Sequence, residues 1–149
     1  MIRVTRRSLI RATAGATLAA PFLATAAAAA GEPQVRLRDL YNNDMSFTPF
    51  AEAHESQRVA IEGFMAPPLK AESNFYVLTN RPMAVCPFCS DEAEWPDDIL
   101  AVYAQRIVNV IPFNVRIISR GVLELGTYTD PELGFVGRVR LQDAVQERA

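Results

Sequence analysis

The run Asn114-Val-Arg-Ile-Ile-Ser-Arg-Gly-Val-Leu-Glu-Leu-Gly-Thr127 constrains the fold more than any other part of the chain. It is rich in the branched and long apolar residues that fill strands, and it carries Gly121 in its middle. A glycine inside a strand of this length marks the place where the strand bends sharply or another backbone comes close. A flat sheet has no use for such a residue, and a small barrel does.

Four further runs follow the same logic. In Gln57–Met65, Val59 and Ile61, with Gly63, fall on one face, while Arg58 and Glu62 fall on the other, as in a half-buried strand. Gly63 predicts a bulge or tight bend there, and Pro67-Pro68 ends the run. Asn74–Asn80 is a second strand of aromatic and branched residues. Asp98–Ala104 reads as a third, although Ala-Val-Tyr-Ala-Gln is also compatible with a helix. After the long fourth run, Thr129–Glu132 and Gly134 supply a turn. Phe135–Leu141 then alternates Val139 and Leu141 with Arg138 and Arg140. Five strands with two bent members predict a mainly β fold, a five-stranded, partly open barrel of the OB type. A β-sandwich needs about seven.

The barrel is preceded by a lead-in. Gly31–Asp44 is polar, with Val35, Leu37 and Leu40 as a small apolar set that docks onto the domain. Pro49 and the polar run Glu52–Gln57 predict a turn or one short helix, and no strand is expected before Gln57.

Residues 1–30 are of a different character. Arg6-Arg7 stand just before a mildly apolar, Ala-rich stretch that lacks acidic residues and ends in Ala26–Ala30. Paired arginines, a mild apolar core and an Ala-x-Ala end resemble a twin-arginine (Tat) signal, which implies export to the periplasm and removal after about Ala30. The stretch is too short and too weakly apolar for a stable membrane anchor. One domain, residues 31–149, then remains, with eleven basic and seventeen acidic side chains and a net charge of −6. That balance argues against a nucleic-acid partner, whose phosphates call for a basic face.

Arg58-Val-Ala-Ile-Glu-Gly-Phe-Met-Ala-Pro-Pro-Leu69, then Phe75–Leu78, then a cysteine segment and Val115–Thr127 with its Arg120–Gly126 core together resemble a family of uncharacterised bacterial exported proteins. The likeness runs over residues 35–145, and its most specific part is Gly63-Phe-Met-Ala-Pro-Pro68. It implies an OB-like fold and genes that often neighbour ABC-type transporters. An envelope or transporter protein is the expected partner.

The chemistry centres on Cys86-Pro-Phe-Cys89, which contains the only cysteines. Three readings stand side by side. A disulfide or structural pair would stiffen one loop, with little entropic gain across so short a span. A metal site would use Cys86, Cys89 and His54, with a carboxylate from Asp91, Glu92 or Glu94 for zinc, or Met65 and Met83 for Cu(I). A thiol-disulfide oxidoreductase would need the first thiol at a helix N-terminus. Against that last reading, three acidic neighbours raise a thiol pKa, Pro96 opposes a helix, and strands flank the motif. Ser119 has no Gly-x-Ser-x-Gly setting and no phosphate loop is present, so no complete catalytic set is recognised. Tyr76, Trp95, Tyr103 and Phe113 are either core or a ligand surface. The expected function is that of an exported accessory or binding protein.

Overall fold

The computed structural model describes residues 31–84 and 98–149. Its strands are β1 (Gln34–Val35), β2 (Arg58–Met65), β3 (Phe75–Thr79), β4 (Ile99–Ala104), β5 (Arg116–Thr129) and β6 (Val136–Arg148). Among the described residues, one 3-10 turn covers Leu37–Leu40 and one short helix, α1, covers Pro49–Ala53. The helix begins where local chemistry dictates. Pro49 stands in its first turn, and the Thr48 hydroxyl accepts a hydrogen bond from the Ala51 amide at 3.1 Å.

Five strands close a ring in the order β2, β3, β4, β6, β5 and back to β2. All neighbours are antiparallel except β4 and β6, which run parallel. The protein is therefore a mainly β, OB-like barrel with a short lead-in. The ring is only partly closed, because β2 meets β5 along Arg58–Phe64 but meets β3 only at Phe64 and Met65.

That short meeting explains where β1 goes. With β5 on one edge of β2, the other edge is left unpaired along most of its length, and β1 pairs there in parallel, Gln34 with Ala60 and Val35 with Ile61. The lead-in thus does contribute a strand, contrary to the expectation from sequence. The polar neighbours Gln34 and Arg36 on either side of Val35 hide a strand that is only two residues long. Leu37 and Leu40 follow it into the barrel core, together with Ala51 of α1, so the lead-in seals one end of the barrel.

Gly63 does not form a bulge. It pairs in register with Ile117, and its role is close approach: a Cβ there would lie 2.7 Å from the Thr79 carbonyl oxygen and 2.9 Å from Leu78 Cγ. The bulges lie elsewhere. Between Arg120 and Val122 the partner strand β6 carries one extra residue, beside Asp143 at φ 52°. Farther along, β5 carries the extra residue, beside Gly126 at φ 106°. Both strands run past the bounds expected from sequence, β6 to Arg148 and β5 to Thr129, because a bulge restores inward alternation after each slip. Gly121 sits at the first slip, where a Cβ would meet the Gln142 carbonyl at 2.8 Å.

Candidate functional site

Residues 85–97 lie outside the described residues, so Cys86 and Cys89 are not placed. The ends of their segment are. The Asn80 amide donates to the Asp98 carbonyl at 2.9 Å, the Arg81 guanidinium meets the Asp98 carboxylate at 3.0 Å, and the Thr79 hydroxyl donates to the Arg81 carbonyl at 2.8 Å. The described residues on either side of the segment are therefore tied to each other at a neck.

His54 stands at the other end of β2. It follows α1, its Nδ1 donates to the Phe50 carbonyl at 2.8 Å, and its ring packs on Phe50 with centroids 4.2 Å apart. The neck lies beside the Phe64–Met65 end of that strand, and at roughly 3.3 Å per residue the two ends of β2 are about 20 Å apart. Zinc shared by His54, Cys86 and Cys89 would require the intervening chain to cover that span. Met65 is committed to the core, where its sulfur accepts the Ile111 amide at 3.5 Å. Among the described residues, no group of three or more His, Cys, Asp and Glu side chains stands together to hold a metal ion.

In OB-type barrels the usual ligand face is the outside of the second and third barrel strands, framed by the loops after the first and fourth. Here those strands are β3 and β4, and their outer side chains, Phe75, Val77, Ile99 and Ala101, are covered by Leu69, Leu133 and Phe135 from those two loops. Lys70 and Glu132 join the loops at 3.6 Å. Tyr76 points the other way, into the barrel, and shares a 2.8 Å hydrogen bond with the Ser119 hydroxyl. Burial pushes its pKa up to about 12, an effect that the Ser119 bond partly opposes. Tyr103 lies half-buried at the outer face, its ring 5.2 Å from Phe75, and its pKa is raised by burial and then by Asp130. Neither tyrosine lines an open ligand surface. Phe113 is exposed, on the loop between β4 and β5 that also exposes Ile107 and Val110.

An open cleft lies at the seam between the lead-in and the barrel. It has a volume of about 520 Å³, within the range of small-molecule sites. Its wall on the lead-in side is Gln34, Arg36 and Arg38, and its wall on the barrel side is Glu62, Phe64 and Arg116, with Asn80 of the neck at its rim. Alternation places these groups: Val35 and Leu37 turn inward, so Gln34, Arg36 and Arg38 turn outward. Arg116 is held by an ion pair with Glu62 and stacks over the Phe64 ring at 5.3 Å. Gln34 donates to the other Glu62 oxygen at 3.4 Å. Arg38 approaches Asp39 only at 4.0 Å, and Arg36 has no ion-pair partner among the described residues.

This cleft was not anticipated from the sequence. Its residues come from four separated stretches, and no spacing rule joins Arg36 to Arg116 across the β2–β5 pairing. The one available signal was the alternation Gln34-Val35-Arg36-Leu37-Arg38, whose outward set is polar and predominantly basic.

Comparison with solved structures finds a DUF3299 family protein from Pseudomonas aeruginosa PAO1. Its crystal structure matches with a TM-score of 0.49 at 11% identity, covering 79% of this chain and 97% of that one. No family model and no curated protein matches the sequence.

Proposed function

We propose that this chain is an exported accessory protein of the bacterial envelope that works by binding, with the seam cleft as its ligand site. The observation that supports this most is the contrast between two surfaces. The outer β3–β4 face is filled by the chain's own loops, whereas the seam stays open and presents cations whose pairing is incomplete. Export rests on the resemblance of residues 1–30 to a twin-arginine signal, and an envelope or transporter partner rests on the family resemblance. The cysteine pair is proposed as structural or metal-bound. Elemental analysis with thiol counting separates those two states from a redox dithiol, which would show two free thiols, no metal and a first thiol of low pKa.

Two measurements test the main reading. Replacing Arg6 and Arg7 by Lys should retain the protein in the cytoplasm, and unchanged export would remove the periplasmic assignment. Amide shifts recorded on the labelled protein as a periplasmic small-molecule fraction is added should concentrate at Gln34–Asp39, Glu62–Phe64 and Arg116. Saturable shifts confined to another surface, or none at all, would overturn the cleft as the binding site.

A further inference from the structure

The seam cleft also carries the class of its ligand, an inference that rests on the reading just given. We propose that it binds a small organic or inorganic oxyanion, a carboxylate or a phosphate, with Arg36 and Arg38 as the clamp and Arg116 as a fixed cationic wall.

The charge distribution is the first reason. The domain as a whole is acidic, with a net charge of −6, yet this cleft is lined by three cations, Arg36, Arg38 and Arg116, against two carboxylates, Asp39 and Glu62. A locally positive concavity on an acidic protein raises the concentration of anions at one place and repels them elsewhere.

The second reason is how the charges are used. Glu62 is consumed within the barrel wall, one oxygen by Arg116 and the other by Gln34. It fixes Arg116 in place against Phe64 and leaves the remaining guanidinium donors of that residue for a ligand. Arg36 has no counter-ion among the described residues, and the 4.0 Å contact of Arg38 to Asp39 links two side chains that are each more than half exposed. Such a pair is weak and easily exchanged for a better acceptor.

The third reason is the kind of cation. All three are arginines, as are ten of the domain's eleven basic residues. A guanidinium presents a planar fork that matches a carboxylate or a phosphate with two parallel hydrogen bonds, which an ammonium cannot do. The Gln34 amide, on the same wall, and the Asn80 amide, at the rim, add neutral hydrogen-bonding groups. A ligand with anionic oxygens at both ends, small enough for about 520 Å³, satisfies this set.

The test titrates the full chain by calorimetry with citrate, with inorganic pyrophosphate and, at matched ionic strength, with chloride. Saturable binding of citrate alone assigns the carboxylate source, and of pyrophosphate alone the phosphate source; chloride should give no saturable heat. Arg36→Ala and Arg38→Ala should each weaken binding by about tenfold, the loss of one charge-assisted fork. Arg38→Lys should recover only part of that loss. Glu62→Gln is the informative variant, because it removes a negative charge from the wall while keeping the shape of the side chain. It should tighten anion binding several-fold, an effect that a purely structural role for Glu62 would not give. Binding indifferent to both Arg36→Ala and Arg38→Ala overturns the proposal. If cleft shifts arise only from a neutral or cationic ligand, the binding function stands and the anion class fails.

Discussion

The two walls of the barrel solve the same problem differently. The β3–β4 wall is made of strands five and six residues long, and the β5–β6 wall of strands fourteen and thirteen residues long. Every residue of β3 is buried, and all of β4 except Tyr103, because the barrel core lies on one side and the loop cluster on the other. In β5, by contrast, buried Ile117, Ser119, Gly121 and Leu123 alternate with half-buried Ile118, Arg120, Val122 and Glu124. A short strand can be stable when both faces are covered, and its sequence is then a continuous apolar run such as Phe75–Leu78. A long strand with one wet face draws on cross-strand pairs and on bulges that keep its inner face in register.

The largest expected effect attacks the two-sided wall from outside. Phe75 lies on the outer face of β3 yet is only 3% exposed, packed between Phe135 and Tyr103. Phe75→Ala should cost about 3–5 kcal/mol, the range for a buried aromatic. The corresponding outward residue of the long wall, half-buried Val122, should lose at most about 1 kcal/mol on change to alanine. Urea unfolding midpoints measure both, and similar losses at the two positions would abolish the distinction between the walls.

Next in size is a pH effect at the hydrogen bond that ties the walls together, Tyr76 of β3 to Ser119 of β5. Burial raises the tyrosine pKa from 10.0 to about 12. The folded state therefore keeps the proton longer than the unfolded state does. Its contribution is complete below pH 10 and is lost as pH rises from about 10 through about 12. A shift of two units corresponds to about 3 kcal/mol. Tyr76→Phe should lower stability modestly at neutral pH and flatten the alkaline limb followed by circular dichroism. Tyr103, raised in the same direction, accounts for the slope that remains.

The difference between the walls was itself visible in the amino-acid pattern. Alternation in Gln57–Met65 and Phe135–Leu141, the apolar runs Phe75–Leu78 and Ile99–Ala104, and the long run Asn114–Thr127 with Gly121 inside it gave the five barrel strands and the barrel class. The sequence did not show what covers the outer face, because Leu69, Leu133 and Phe135 sit in loops whose apolar residues have no period. Nor did it show the bulge at Asp143, where a positive φ is taken by a residue other than glycine. Two-residue β1 is too short for any period. The seam cleft was illegible for the same reason as any non-local site: Arg36, Glu62 and Arg116 meet only after β1, β2 and β5 pair.

Glycine changes sharpen the comparison at intermediate size. Gly63→Ala forces a Cβ against the Thr79 carbonyl at 2.7 Å, where β2 passes from β5 to β3. The contacted oxygen is backbone, which yields poorly, so a loss of about 1–3 kcal/mol is expected. Gly121→Ala meets the Gln142 carbonyl at 2.8 Å inside the long wall and should fall in the same range. Melting temperatures of the two variants decide whether the β2–β3 corner tolerates crowding less than the long hairpin does.

The smallest effect belongs to the charged outer surface of the long wall. Arg58 on β2 bridges Glu32 of the lead-in at 3.0 Å and Asp143 at the β6 bulge at 2.9 Å, and these contacts raise its pKa, the Glu32 hydrogen bond most. Its side chain is 39% exposed, and that of Asp143 59%, so solvent screens most of the attraction. A double-mutant cycle on Arg58→Ala and Asp143→Ala should return a coupling of about 0.5 kcal/mol at low salt that fades by about 1 M salt. A coupling near that of a buried pair, several kcal/mol and insensitive to salt, would mean that this ion pair, across two strands that do not pair with each other, ties β2 to the β6 bulge. The long wall would then depend on its outer surface as much as the short wall depends on its covering loops.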